Sequence, residues 1–160
     1  MTAQSLKLEG RVAIVTGAAR GIGRSIVIKL ASEGAQVVAN DLDAAPLVEG
    51  VGKLAQQGLA VHALPGDITE QATAEALVSN ALDRYGNLHI VVNNAGYTQV
   101  IPHQDLGSVS EEVFRRVIDV NLFGTWYLSR AAVAALKASG DGNIVNITSI
   151  AGLRAVGSSI

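Results

Sequence analysis

Apolar residues along the chain alternate between short continuous runs and longer segments with helical spacing. The short runs predict buried strands at Val12–Thr16, Gln36–Asn40, Leu59–Leu64, Leu88–Val92 and Asn143–Thr148. The helically spaced segments predict helices at Gly21–Glu33, from Asp43 onward, at Thr69–Tyr85 and from Ser110 to Ala138. Strands and helices that alternate in this way predict right-handed crossovers and a parallel sheet. We therefore expect a doubly wound α/β fold with about five strands, in a single domain over residues 1–160.

Ligands of doubly wound sheets bind at the carboxyl ends of the strands, so the segments after the predicted strands are candidates for chemistry. The first of them is TGAARGIG, residues 16–23. A glycine-rich turn between a strand and a helix lets the backbone approach a pyrophosphate, which the helix N-terminus attracts. The alternative is a tight turn with incidental glycines. Because a strand and a helix flank the turn, we favour nucleotide binding.

Asp41 directly follows the second predicted strand. A carboxylate at this point of a dinucleotide-binding fold accepts hydrogen bonds from the ribose hydroxyls of NAD, and its charge repels the 2′-phosphate of NADP. The alternative role is that of a helix-capping acid. Arg20 favours NADP instead, because a cation in the glycine turn could hold a phosphate. We rank NAD above NADP as the expected cofactor.

Polar residues also follow three further strands, and each of them has two possible roles that the residues alone do not decide between. In GDIT, Asp67 could accept from an adenine amino group and the Ile68 N–H could donate to the ring, or Asp67 or Thr69 could cap the next helix. NNAG suits a backbone that lies close to a cofactor, but by itself it is typical of a polar turn. Ser149, after the fifth strand, is by itself more typical of a turn than of a catalyst.

Asn121 interrupts an otherwise apolar helical stretch, VIDVNLFGTW, and we expect a helix break near it. A buried asparagine without partners costs about 1–3 kcal/mol, so its side chain must be bonded. The residue could serve as a structural tie or as part of a proton relay.

Composition removes several function classes. The net charge of −2 attracts neither nucleic acid nor an anionic membrane, and without cysteine there is no disulfide, thiolate zinc site or Cys nucleophile. The N-terminal residues lack the apolar core of a signal peptide, and no apolar run reaches the length of a membrane span. We predict a soluble cytoplasmic protein with no metal site and with neither nucleic acid nor a membrane as a partner.

Together these motifs resemble those of the short-chain dehydrogenase/reductase family. The matching elements are TGAARGIG at 16–23, Asp41, GDIT at 66–69, NNAG at 93–96, VNLFGT at 120–125 and GNIVNITS at 142–149. The resemblance runs from about residue 8 to 160 and implies a Rossmann fold. It also implies that the last strands of the family fold are missing from these residues, so we expect the domain to be incomplete at its C-terminal end.

The resemblance also implies a role for each matched residue. The cofactor-binding residues would be Gly17, Gly21, Ile22, Gly23, Asp41, Asp67, Ile68, Asn94, Ala95 and Gly96, with Arg20 as a further candidate. In that family the asparagine at the position of Asn121 holds a water molecule in a proton relay. The serine at the position of Ser149 orients the substrate oxygen.

The chain departs from the family pattern at its catalytic motif. The family's main acid/base is the tyrosine of a Tyr-x-x-x-Lys motif, which should fall immediately beyond Ile160; Tyr85, Tyr97 and Tyr127 do not precede a lysine by four. General acid–base help is worth about 10²- to 10⁴-fold, so we expect the 160 residues alone to be nearly inactive. We expect them to belong to a longer protein; a truncated gene or a cut product are the alternatives.

Two functions follow from this reading. The first is an NAD-dependent oxidoreductase, or the cofactor-binding part of one, that transfers a hydride between nicotinamide and a secondary alcohol or ketone. The second is a non-catalytic dinucleotide-binding module. The resemblance leaves the substrate open among 3-oxoacyl thioesters, sugars or polyols and steroids. It implies a homodimer or homotetramer for the full-length protein.

Overall fold

The computed structural model describes residues 6–153, and predictions that concern residues 1–5 and 154–160 lie outside this part of the chain. The strands are β1 Val12–Val15, β2 Gln36–Ala39, β3 Val61–Ala63, β4 Ile90–Asn93 and β5 Asn143–Asn146. The α-helices are α1 Gly21–Ser32, α2 Ala44–Gln56, α3 Gln71–Tyr85, α4 Glu111–Ile118 and α5 Thr125–Ala138. A π-helical turn, Asp119–Gly124, joins α4 to α5, and short 3₁₀ turns lie at Leu106–Ser108 and Ile150–Gly152.

The strands form one parallel sheet in the order β3-β2-β1-β4-β5. Ile14 of β1 lies opposite Val38 on one side and Val91 on the other, and Val91 lies opposite Ile144 of β5. The chain builds outward from β1 through β2 and β3 and then returns to the other side of β1, so the carboxyl ends of β1 and β4 flank a crevice. The predicted doubly wound α/β fold is confirmed.

Helices cover both faces of the central strands, which explains why β1 and β2 are continuous apolar runs. On one face Val15 belongs to the same buried cluster as Val27 of α1 and Leu47 of α2. On the other face Ile14 shares a cluster with Leu77 of α3 and Leu128 of α5. These two layers hold the carboxyl ends of β1, β2 and β4 in place, and the candidate site residues follow directly from those ends.

The long helix passes through Asn121 without the break that its sequence predicts. Ile118 and Thr125, on either side of the π turn, keep right-handed helical backbone angles. A π turn accommodates an extra residue within a helix and is frequent at functional sites. The irregularity is therefore a widened turn rather than an interruption of the helix.

The prediction that the fifth strand is buried is wrong for the described residues. Ile144, Val145 and Ile147 are 40%, 44% and 39% exposed. β5 forms one edge of the described sheet, where it is hydrogen-bonded to β4 and packed against α5. An apolar run predicts that a strand forms, but its burial depends on what packs against each side of it.

Candidate functional site

A cavity of about 630 Å³ opens at the carboxyl ends of the central strands. It is lined by Gly17, Arg20, Gly21, Ile22, Gly23, Asn40, Asp41, Leu42, Asp43, Gly66, Asp67, Ile68, Asn94, Ala95, Gly96, Tyr97, Arg116 and Val120. Every residue predicted to bind the cofactor is in this lining, whereas Asn121 and Ser149 are not. The topology thus brings five separate segments of the chain around one space.

The glycine turn after β1 depends on contacts that only glycine permits. Gly17 and Gly21 have φ angles of 65° and 55°, which side chains rarely adopt. A Cβ on Gly23 would lie 2.1 Å from the carbonyl oxygen of Gly17. Helix α1 begins at Gly21, and the side chain of its N-cap residue, Arg20, does not cap the first turn. Such a backbone cradle at a helix N-terminus fits a pyrophosphate.

Thr16 and Asn94 join the glycine turn to the end of β4. The buried Thr16 hydroxyl accepts from the N–H groups of Asn94 and Ala95, at 3.1 and 3.0 Å. The Asn94 amide donates back to the carbonyl oxygens of Thr16 and Gly17, at 2.9 and 3.1 Å. Both amide donors of Asn94 are therefore used within the protein, and Asn94 shapes the cavity wall. Thr16 was not predicted as a site residue; its position between β1 and the first glycine is the signal that could have found it.

The Asp41 carboxylate links the glycine turn to the start of α2. One oxygen accepts from the Ala19 N–H at 2.9 Å and the other from the Asp43 N–H at 3.0 Å. Each carboxylate oxygen has a second acceptor position, so hydrogen bonds from ribose hydroxyls are compatible with this geometry. Arg20 forms an ion pair with Asp43, which places an acid beside the cation of the glycine turn.

Asp67 is held in a turn and does not cap the following helix. Its Oδ1 accepts from the N–H and the hydroxyl of Thr69, at 2.9 and 2.8 Å, and its Oδ2 accepts from Arg116 Nη1 at 3.0 Å. Helix α3 begins later, with Glu70 as the N-cap residue, so the capping alternative for Asp67 and Thr69 is excluded.

Burial alone would raise the pKa of Asp67. The hydrogen bonds from Thr69 and Arg116 outweigh burial, and they hold the pKa of this carboxyl below its ordinary value. The carboxylate therefore stays ionised at neutral pH. Arg116 was missed by sequence reasoning, because an arginine on a polar helix face carries no local sign of a partner 49 residues away.

Asn121 is exposed, which corrects the expectation that it is buried. Its Oδ1 accepts from the Tyr97 N–H and its Nδ2 donates to the Tyr97 carbonyl oxygen, both at 2.9 Å. This two-point contact ties the π turn to the segment that follows β4. The structural-tie alternative describes the observed contacts, and a proton relay stays a prediction.

Ser149 is exposed, and its hydroxyl accepts from the Ala151 N–H at 3.2 Å. It thereby caps the short 3₁₀ turn at Ile150–Gly152, as a turn residue would. Its position after β5 is the predicted one, but its substrate-orienting role stays a prediction.

Residues 6–153 contain neither a metal-binding cluster nor a helix that could span a membrane. The His, Asp and Glu side chains there form no group of three or more that could bind a metal ion. None of the helices described there is both long and apolar enough to span a bilayer.

Comparison with known proteins gives concordant matches. The family model described as short chain dehydrogenase matches residues 11–159. A putative ketoacyl reductase of granaticin polyketide synthase from Streptomyces violaceoruber is 43% identical over 95% of this chain and 60% of its own length. The L-fucose dehydrogenase of Mus musculus is 42% identical over 91% of this chain and 51% of its own length.

A solved structure shows the same architecture. The crystal structure of a short-chain dehydrogenase/reductase from Burkholderia phymatum in complex with NAD superposes with a TM-score of 0.89 at 31% sequence identity. The match covers 95% of this chain and 53% of that chain. The chain thus spans between about half and 60% of the lengths of the proteins it matches.

Proposed function

Because this chain belongs to the short-chain dehydrogenase family, we propose that it is the cofactor-binding part of an NAD-dependent oxidoreductase acting on a secondary alcohol or ketone. The observation that carries this proposal is the glycine cradle of Gly17, Gly21 and Gly23, opposite the Asp41 carboxylate in one cavity. The cradle fits the pyrophosphate of a dinucleotide and the carboxylate fits a ribose diol.

The choice of NAD over NADP rests on the charges around Asp41. Asp41 and Asp43 lie beside the glycine turn, and Asp43 engages Arg20, the cation that could otherwise hold a 2′-phosphate. A further negative charge in this corner of the cavity is unfavourable. The Burkholderia phymatum structure contains NAD, which is consistent with the same choice.

Each group of residues has a distinct task in this proposal. A bound nicotinamide supplies or accepts the hydride. The residues from Gly17 to Gly23 bind the phosphates through their backbone, Asp41 orients the adenosine ribose, and Asp67 with Ile68 faces the adenine. Ser149 orients the substrate oxygen and Asn121 belongs to the proton relay. The acid/base itself is the tyrosine of a Tyr-x-x-x-Lys pair in the longer protein.

The substrate class stays at the level of a secondary alcohol or ketone. The relatives named above are a putative ketoacyl reductase and an L-fucose dehydrogenase, whose names indicate chemically different substrates. We further propose a cytoplasmic homodimer or homotetramer for the full-length protein.

Binding and turnover, measured separately, test the proposal. The 160-residue chain should bind NADH, seen as a change in its fluorescence, more tightly than NADPH, and should show no turnover with alcohols or ketones. The Asp41→Asn variant should bind NADPH better relative to NADH, because one of the two acids loses its charge. A chain that binds neither dinucleotide would overturn the proposal. Turnover by the 160 residues would instead show that the tyrosine–lysine pair is dispensable.

A further inference from the structure

We propose that Arg116 is a positioning residue for the adenine end of the dinucleotide, acting through the Asp67 carboxylate. The inference rests on the proposed function, since it takes Asp67 and Ile68 to face the adenine. Arg116 lies on α4, and its side chain and that of Asp67 both line the cavity. Arg116 belongs to none of the sequence motifs named above, because α4 lies between them.

The contact between the two residues is a partly enclosed ion pair. Arg116 Nη1 donates to Asp67 Oδ2 at 3.0 Å, and the two side chains are 34% and 28% exposed. An ion pair at this depth is screened less than one on the surface. It joins α4 to the turn after β3, so it bridges two walls of the cavity.

The remaining contacts of Asp67 explain why the orientation of its carboxylate depends on Arg116. Oδ1 is occupied by the N–H and the hydroxyl of Thr69, whereas Arg116 is the donor that reaches Oδ2. A carboxylate offers about four acceptor positions, so these three bonds leave about one for an adenine amino group. Without Arg116, Oδ2 loses the bond that sets its direction.

The turn that carries Asp67 has a second anchor on the same long helix. Ile68 is buried, and a Cβ on Gly124 would lie 2.9 Å from its Cγ2, so the Gly124 backbone packs closely against it. This apolar contact does not involve Arg116. We therefore expect an Arg116 variant to keep the turn packed while losing the fixed orientation of the carboxylate.

The neighbouring arginine offers a matched control. Arg115 is exposed and pairs at 2.6 Å with Glu111 of its own helix. It does not line the cavity that holds Asp67. Replacing either arginine by leucine removes one positive charge from α4, but only Arg116 contacts Asp67.

The test is calorimetric binding of ADP-ribose, which carries the adenosine half of the cofactor, to the whole protein that contains this chain. Arg116→Leu should weaken binding about tenfold. This is the low end of the range for the loss of a hydrogen bond to a charged group, because Arg116 acts on the ligand only through Asp67. Arg116→Lys should recover part of the loss, and Arg115→Leu should bind as the unmodified protein does.

A double-mutant cycle separates positioning from a general structural role. If Arg116 acts through Asp67, Arg116→Leu should cost little further affinity in an Asp67→Asn background. Equal losses in both backgrounds, or unchanged affinity of Arg116→Leu, would overturn the inference and leave the proposed function standing. Failure of the unmodified protein to bind ADP-ribose would overturn the proposed function and the inference together.

Discussion

β1 and β5 carry similar apolar side chains in the same row of the sheet, yet one strand is enclosed and the other is exposed. Ile14 is fully buried, whereas Ile144 is 40% exposed, although both lie in register with Val91. Helices cover both faces of β1, while β5 lies at the edge of the described sheet. Side-chain type therefore predicts where a strand forms, and the neighbours of the strand decide how much it contributes to stability.

The hydroxyl groups that follow these two strands also differ in burial. After β1, the Thr16 hydroxyl is buried and accepts two backbone N–H groups. After β5, the Ser149 hydroxyl is exposed and accepts one N–H within its own turn. The proposed cofactor side of the site is thus preorganised by residues 6–153. The proposed substrate side makes fewer contacts with this part of the chain.

The sharpest test of this contrast replaces the matched isoleucines. Ile14→Ala should lower the free energy of unfolding by about 2–5 kcal/mol, because it leaves a cavity among buried side chains. Ile144→Ala should cost only about 1 kcal/mol, since part of its side chain is already in water. Urea unfolding of both variants of the 160-residue chain measures the difference. Equal costs would mean that β5 is as enclosed in solution as β1.

Gly23→Ala should damage the preorganised side next most severely. The new Cβ would meet the Gly17 carbonyl oxygen at 2.1 Å, and no rotamer relieves this clash because the oxygen belongs to the backbone. We expect a loss of about 3 kcal/mol in stability and, through the distorted cradle, about 100-fold weaker NADH binding.

Gly52→Ala is the matched control for that substitution. Its Cβ would meet nothing within 4 Å on helix α2, so alanine should stabilise the protein by about 0.5–1 kcal/mol. NADH binding should be unchanged in this control. If Gly23→Ala also bound NADH normally, the glycine cradle would not be the pyrophosphate site.

Thr16→Val should have a smaller effect, on stability. Valine keeps the shape of the side chain but leaves the N–H groups of Asn94 and Ala95 without their acceptor. An unsatisfied buried donor costs about 1–3 kcal/mol; these two donors are partly buried, so we expect a total of about 2 kcal/mol. Thr16→Ser keeps the hydroxyl and should lower the free energy of unfolding by less than half as much. Thermal unfolding of both variants measures the two losses. Equal losses for valine and serine would mean that the hydroxyl, which valine lacks, matters no more to stability than the methyl group, which serine lacks.

The smallest expected effect is a pH dependence at Asp67. Because its pKa is lower in the folded protein, its contribution to stability is complete above the unfolded pKa of about 3.9 and is lost as the pH falls through the folded pKa. The stability gap between the unmodified protein and Asp67→Asn should therefore be constant at neutral pH and narrow below about pH 4.

The Thr69→Val variant refines this pH prediction. It removes the hydroxyl that donates to Asp67 Oδ1 and keeps the backbone N–H. The difference in stability between Thr69→Val and the double variant Thr69→Val/Asp67→Asn should then narrow at a higher pH than the corresponding difference in the protein with Thr69, because the folded pKa of Asp67 rises. Urea midpoints between pH 6 and pH 2.5, at fixed ionic strength, measure both curves. A gap independent of pH would contradict the role of these hydrogen bonds.

The alternation of strands and helices, the parallel sheet and the segments at its carboxyl ends could all be predicted from the order of the residues. These properties follow from local periodicity and from the handedness of crossovers, so they can be read without knowing any contact. The same reasoning placed Gly17, Asp41, Asp67 and Asn94 near one another, since strand ends of a parallel sheet share one edge.

Which of these residues bond to each other, and how deeply each is buried, becomes clear only from the folded chain. Arg116 reaches Asp67 across 49 residues, and Asn121 bonds to the backbone of Tyr97 from an exposed position on the π turn. Burial of Ile144 likewise depends on what lies beside the strand. The physical reason is common to all three: periodicity describes one segment at a time, whereas pairing and burial are properties of two segments brought together by packing.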